Sequence, residues 1–423
     1  MLPADLILLD LVVILATAQV LGAVARAIGQ PVVIGQILAG IVLGPTLLGH
    51  LVGDRLFPAT VVAPLTTLAD VGLVLFMFMI GMELDQRMVR SQGEAAIGVA
   101  VGATLVPFGL GAGLAVWLAH AHAHGRPLPF VLFLGTAMSA TAFPVLARIL
   151  TDRGIQRTPL GTLAMASAAV IDVSAWLMLA VVAGLATASG HSSWRIGLTA
   201  AYVLVMLLVV RPLLRRLVPA FERAGQVTPA LLSTWLTGLL ASAWATQWMG
   251  IHFVFGAFLY GLIMPRSDAL IKEILTHLEQ LAVLFLLPIF FVVTGLTVNL
   301  GTLRASALGI LAAILVISVA GKLAGGYAGA RLTGFPPRTS AALAALLNTR
   351  GLTEIVILTV GLQEHVLDME LYSMMIIMAL VTTAMTGPLL NLCYPRGRAA
   401  EDLAAAGQPA PDAGQALQLD RAS

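Results

Sequence analysis

Residues 168–176 read Ala168-Ala169-Val170-Ile171-Asp172-Val173-Ser174-Ala175-Trp176 and lie near the middle of an apolar run from 159 to 188. A bilayer core asks for about 20 apolar residues per helix, so a run of this length can span it. Asp172 is its only acidic or basic residue. A charge at the bilayer centre costs from about 2.5 kcal/mol upward and persists only where it faces protein or water. The stretch therefore reads as a transmembrane helix that carries a carboxylate for a purpose, and the rest of the chain can be read outward from it.

The same texture continues on both sides. Of 423 residues, 59% are hydrophobic and 10% charged, which excludes a soluble globular domain. Breaking the hydropathy at charged or Pro/Gly-rich points gives thirteen spans, roughly 6–28, 31–50, 60–83, 95–119, 128–150, 159–188, 193–217, 228–248, 251–265, 275–297, 305–330, 340–362 and 370–393. Each must be helical, because unpaired backbone N–H and C=O groups are too costly in lipid. The expected fold is an all-α polytopic membrane protein, with a transmembrane domain over 1–394. The first span lacks a basic leader and is too long for a signal peptide. The segment 395–423 is rich in Ala, Gly, Gln and Asp and is expected to be a disordered tail, too short for a nucleotide-binding domain. The single Cys393 excludes a disulfide framework.

Charge orients the spans. With the N-terminus outside, the inner side receives most of the Lys and Arg, among them Arg26, Arg87, Arg90, Arg148, Arg153, Arg211, Arg215, Arg216 and Lys272, while the outer loops hold Arg55, Arg126, Arg195 and Arg304. This is the bias of a membrane protein with a cytoplasmic C-terminus, and a plasma-membrane location is expected. His120, His122 and His124 fall on the outer side and read as an exposed polar loop. The lipid bilayer is the expected partner, with no nucleic acid, nucleotide or cofactor. No Gly-rich phosphate loop occurs, so energy for transport would come from an ion gradient.

Asp172 is joined by other ionisable residues within spans: Lys322, Arg350, Glu354 and, less deeply, Asp10 and Asp70. The apolar and small neighbours of Asp172 make a bare carboxylate costly, so it would hold a proton or a cation, but not both. Two other spans are interrupted, one at Ser139-Ala140-Thr141-Ala142-Phe143-Pro144 and one at Asn348-Thr349-Arg350-Gly351. Pro144 removes a backbone donor, Gly351 loosens the second helix, and Ser139 and Thr141 offer oxygens to an ion. The two spans lie an odd number apart and run in opposite directions, as expected of inverted repeats, roughly 1–188 and 228–394, whose broken helices cross beside the binding site. Gly321, Gly325 and Gly329 form one small-residue stripe and Gly40 and Gly44 another, both read as helix packing.

The chain resembles the monovalent cation:proton antiporter-2 family over nearly its whole length to about Tyr394. The resemblance rests on Gly35-Gln36-Ile37-Leu38-Ala39-Gly40 with Leu43-Gly44-Pro45, on Phe76 to Asp85, on Thr141-Ala142-Phe143-Pro144-Val145-Leu146-Ala147-Arg148, and most strongly on Asn348-Thr349-Arg350-Gly351-Leu352-Thr353-Glu354. It implies a thirteen-helix antiporter fold with a dimerisation domain, a moving core domain and a homodimer. It also implies that Asp172 is the ion-binding aspartate, with Thr141 as the broken-helix threonine and Lys322 as the core lysine. Many members carry two adjacent acids where this chain has Ile171-Asp172, which leaves Lys322 without its usual partner, to stand neutral or turn to Asp172 or Glu354.

The expected function is exchange of a monovalent cation, Na+ or K+, for H+, electroneutral because one carboxylate serves both. Asp172 and Thr141 would bind the transported metal ion, with Ser139 and backbone carbonyls nearby. Arg350 and Glu354 would neutralise each other around the crossing. The alternative is a sodium- or proton-coupled transporter of an organic solute or ionophore on the same fold. An intramembrane enzyme lacks its motifs here, since no His/Glu metal motif or paired catalytic aspartates occur.

Overall fold

A computed structural model of the chain describes residues 3–44, 57–83, 86–123, 125–156, 158–187, 193–224, 226–250, 252–265, 267–299, 301 and 305–395. Helices account for nearly all of them, and no strand occurs among the described residues. Pro45, Asp85, His124 and the expected tail from 396 onward lie outside the described residues.

Nine helical segments among the described residues are long and apolar enough to cross a membrane. A tenth arises if the pair Pro337–Leu347 and Leu352–Gln363, bent by 44°, counts as one span. The remaining expected spans correspond to the short apolar helices Val32–Leu43 and Phe253–Leu262 and to the 20-residue helix Pro229–Trp248. By length and apolarity the described residues thus support nine or ten crossings and leave the expected thirteen unconfirmed: Val32–Leu43 and Phe253–Leu262 rise only about 15–18 Å, whereas the 20-residue Pro229–Trp248 is long enough at about 30 Å.

The chain divides into two compact units. The first comprises Met1–Ala25, Val32–Asp85 and Met178–Thr302. It is built on close backbone approaches. A Cβ on Gly40 would lie 2.1 Å from the Val292 carbonyl, and one on Gly295 would lie 2.3 Å from the Ile37 carbonyl, so two helices touch through glycine on both sides. The same reciprocal contact joins Gly81 to Phe258 and Gly261 to Phe78. Such contacts replace the hydrophobic drive that lipid does not supply. Two π-helical turns, Met206–Val210 and Ala282–Leu286, interrupt long helices of this unit.

The second unit comprises Arg26–Pro31, Gln86–Leu177 and Leu303–Ser423. Its helices are α1 (Gln86–His122), α2 (Pro127–Ser139), α3 (Phe143–Asp152), α4 (Pro159–Thr187, up to Leu177), α5 (Ala305–Leu332), α6 (Pro337–Leu347), α7 (Leu352–Gln363) and α8 (Met369–Cys393). The glycine stripe on α5 lies against α1: a Cβ on Gly325 would come within 2.4 Å of the Gly102 carbonyl, and one on Gly102 within 2.8 Å of the Gly329 Cα. α1 and α8 are joined at one end, where His122 Nδ1 bonds Asp368 Oδ2 at 2.5 Å and Asp368 caps α8 through the Leu371 amide at 2.8 Å. His122 is therefore buried and paired rather than part of an exposed loop, because the last turn of α1 meets an acidic helix cap. At the other end of α8, Arg153 donates to Asn391 Oδ1 and to the Gly387 carbonyl.

Candidate cation and proton site

α2 and α3 form one interrupted helix, as do α6 and α7. At the first break Ala140 and Ala142 are extended, with φ/ψ of −60/149 and −84/95. Pro144 follows in the first turn of α3, where its missing N–H costs nothing. At the second break Asn348 ends α6 in near-helical geometry, and Gly351 opens α7 at φ 155, ψ −127. Only glycine takes such a conformation readily. A Cβ there would also lie 2.8 Å from Val145 Cγ2 and 3.5 Å from the Ala142 Cβ. The breaks pack directly on one another. The Ala142 amide donates to the Thr349 carbonyl at 3.1 Å, and Thr141 Oγ1 donates to the Leu347 carbonyl at 3.0 Å.

Each break exposes helix ends that need partners. The carbonyls closing α2 take cations. Arg350 donates to Ala137 O at 3.0 Å and Met138 O at 2.6 Å, and Lys322 Nζ donates to Ser139 O. Lys322 also bonds Thr141 Oγ1 at 2.7 Å and Ala103 O at 3.1 Å. Positive charge at a helix C-terminus is favoured by the aligned peptide dipoles. An ammonium has three donors, and here there are three oxygens to meet them. Lys322 thus turns to neither Asp172 nor Glu354 for a direct bond: backbone carbonyls and a hydroxyl supply what the absent first acid would have supplied.

Asp172, projecting from α4, is fully buried. Thr353 Oγ1 in the first turn of α7 reaches its Oδ2 at 3.5 Å, the outer limit of a hydrogen bond. The backbone amide of Phe143, in the first turn of α3, also faces the carboxylate. The first turn of each second half-helix therefore meets this one side chain, α3 through the Phe143 amide and α7 through the Thr353 hydroxyl. Asp172 Oδ1 has no hydrogen-bond partner among the described residues. A buried carboxylate oxygen left in that condition is costly until a proton or a cation takes it.

The other sequence-marked residues form the frame. Arg350 Nη1 pairs with Glu354 Oε1 at 2.8 Å, one helical turn along, so these charges do neutralise each other. Ser139 Oγ donates back to Thr136 O at 2.8 Å, and Asn348 Nδ2 donates to Thr382 O at 3.3 Å. Thr141 has its hydroxyl committed on both sides, to Lys322 and to Leu347. Three further side chains in the site are Thr353, Ser318, which accepts from Arg350 at 2.6 Å, and Thr383, which bonds the Arg350 peptide. Serine and threonine are too common in such helices to stand out, and only the 181-residue separation between Thr353 and Asp172, closed by folding, reveals the first. Asp10 is buried in the first unit. Among the described residues, no group of three or more His, Cys, Asp or Glu side chains could hold a metal ion.

Residues 12–392 match the family model described as sodium/hydrogen exchanger, transmembrane. The chain is 38% identical over 400 residues to the Na(+)/H(+) antiporter NhaS4 of Synechocystis sp., an alignment that covers 92% of this chain and 97% of that protein. It is 34% identical over 411 residues to cation/H(+) antiporter 20 of Arabidopsis thaliana and 31% identical over 433 residues to K(+)/H(+) antiporter 1 of Saccharomyces cerevisiae. Those alignments cover 93% and 99% of this chain but only 49% and 50% of the plant and yeast proteins. In fold, the chain is similar to the sodium proton antiporter MjNhaP1 from Methanocaldococcus jannaschii, with a TM-score of 0.65 and 15% identity over 95% of this chain and all of that one.

Proposed function

The chain belongs to the sodium/hydrogen exchanger family, and on that premise we propose that it exchanges a monovalent cation, Na+ or K+, for H+, with Asp172 taking the two in alternation. One observation carries this reading. In a cluster of four buried charged side chains, Lys322 and Arg350 bond carbonyls, and Glu354, although its Oε2 has no hydrogen-bond partner, pairs with Arg350 through Oε1 at 2.8 Å; among the described residues Asp172 forms no ion pair and its Oδ1 has no hydrogen-bond partner. A proton or a cation occupies that oxygen, and each excludes the other. Exclusive occupancy couples the flows, because a site that moved empty would carry a bare buried charge.

The same geometry supports electroneutral exchange. Arg350 pairs with Glu354, and all three donors of Lys322 have acceptors, so these charges can persist through the cycle. Asp172 alone then changes occupancy, and one cation replaces one proton. Ser139 Oγ, which donates to Thr136 O, keeps its lone pairs for an ion, and Thr141 Oγ1, which donates to Leu347 O and accepts from Lys322, keeps one. Organic-solute transport is the weaker reading, since small and apolar side chains surround Asp172.

The distribution of Arg and Lys over the loops supports an orientation with the N-terminus outside, and the plasma membrane is the location proposed for it. The second unit, which holds both breaks and Asp172, would be the part that carries the ion. The first, with its glycine-to-glycine packing, would be the scaffold and the surface for a homodimer.

Purified protein in liposomes with an internal pH dye tests the proposal. Addition of Na+ or K+ is expected to move protons at a rate unchanged by an imposed membrane potential. A rate that follows the potential would overturn electroneutrality. No proton movement with Na+, K+ or Li+ would overturn the exchange itself.

A further inference from the structure

We propose that Thr383 of α8 is a positioning residue for ion binding at Asp172, acting by clamping the Arg350 peptide at the second break. The inference rests on the exchange reading above and concerns a residue that contacts neither Asp172 nor any group expected to touch the ion.

The argument is an accounting of backbone groups. Arg350 lies between two half-helices, so neither its N–H nor its C=O belongs to a helical ladder, and both are buried. Buried backbone groups of this kind must find partners or cost the fold a hydrogen bond each. Both are met by one side chain. The Arg350 amide donates to Thr383 Oγ1 at 3.2 Å, and Thr383 Oγ1 donates to the Arg350 carbonyl at 2.6 Å. The same hydroxyl lies 2.7 Å from the Ala379 carbonyl of its own helix. A hydroxyl has a single proton, so it donates either to the Arg350 carbonyl or to Ala379 of its own helix at any moment, while it accepts from the Arg350 amide in both cases.

The position of that peptide matters in two directions. Along the chain it sets Gly351 and the first turn of α7, and with them Thr353, which faces Asp172. Through its side chain it sets the guanidinium that closes α2 at Ala137 O and Met138 O. A peptide released from Thr383 would let both move, changing affinity at Asp172 without removing any ligand.

The neighbouring residue supplies the control. Thr382 is also buried, but among the described residues its hydroxyl bonds only the Met378 and Ala379 carbonyls of α8. Its link to the break runs through its backbone carbonyl, which accepts from Asn348 and survives side-chain replacement. Valine at either position keeps the shape and removes the hydroxyl.

The test is the cation concentration dependence of proton exchange in liposomes for wild type, Thr383→Val, Thr383→Ser and Thr382→Val, each normalised to folded protein. Thr383→Val is expected to raise the apparent KM for the cation about 10-fold, since it leaves a buried peptide unpaired. Thr383→Ser is expected to stay within about 2-fold of wild type, as is Thr382→Val, whose lost bonds are local to its helix. A purely structural threonine would lower the yield of folded protein and leave KM alone. An unchanged KM in Thr383→Val, or an equal shift in Thr382→Val, overturns the proposal. If Thr383→Val is not recovered folded, Thr383→Cys carries the test under the same criterion. Absence of exchange in the wild type would count against the exchange reading instead, so the two failures are distinguishable.

Discussion

The break at 140–142 contains no charged side chain, whereas the break at 348–351 contains Arg350, and they are supported in opposite ways. The first is held from outside by cations, Lys322 from α5 and Arg350 from the other break, which bond the carbonyls that end α2. The second is held by neutral groups, chiefly Thr383 and the Thr382 carbonyl of α8, together with the Thr141 hydroxyl and the Ala142 amide. Charge is thus spent on the break whose exposed carbonyls attract it, and the break that supplies the charge is kept in place by hydroxyls. Both sets of carbonyls left at the ends of α2 and α6 thereby find donors, cationic in one case and neutral in the other.

Substitutions at the two breaks should separate these forms of support. The largest effect is expected from Arg350→Gln, because Arg350 serves both breaks. Removing it strands the Glu354 carboxylate and two carbonyls, a loss of about 3–5 kcal/mol by the measure of broken buried ion pairs. A fall in melting temperature of the detergent-solubilised protein should report it, and Glu354→Gln in the same chain should restore part of the fall. Equal melting of wild type and Arg350→Gln would mean that the first break does not depend on charge.

A smaller effect is expected from Gly351→Ala, about 1–3 kcal/mol, the scale for a residue forced into a sparsely populated backbone region. Because the added Cβ meets Val145 and Ala142 of the first break, exchange should fall along with the melting temperature. A variant that melts lower yet exchanges normally would show that the breaks need not touch as closely as they do here.

Much of this arrangement was legible in the sequence, for identifiable reasons. Apolar runs mark membrane helices because lipid offers the backbone no partners, and Pro144 and Gly351 mark the breaks because proline lacks the donor a helix interior needs and glycine tolerates the positive φ seen at 351. Asp172, Lys322, Arg350 and Glu354 stand out because charge is rare in such surroundings. The acceptors were not legible. Lys322 and Arg350 bond main-chain carbonyls, which every residue carries and no sequence pattern announces. Hence Lys322, with no adjacent acid at Ile171, satisfies itself on Ala103, Ser139 and Thr141 rather than on a carboxylate. Thr353, Ser318 and Thr383 were hidden by their ordinariness. The pairing of His122 with Asp368 was hidden because it joins helices 246 residues apart. The span count was hard for a different reason, since short apolar helices such as Val32–Leu43 satisfy hydropathy without the length to cross alone.

The central claim is that Asp172 alone carries proton and cation in turn, and Asp172→Asn in liposomes tests it most directly. Asparagine keeps the shape and removes the ionisable oxygen. The account predicts folded protein that moves no protons on addition of Na+ or K+, under conditions where the wild type does. Cation-dependent proton movement at an undiminished rate in Asp172→Asn would contradict it and would place the exchange at another carboxylate.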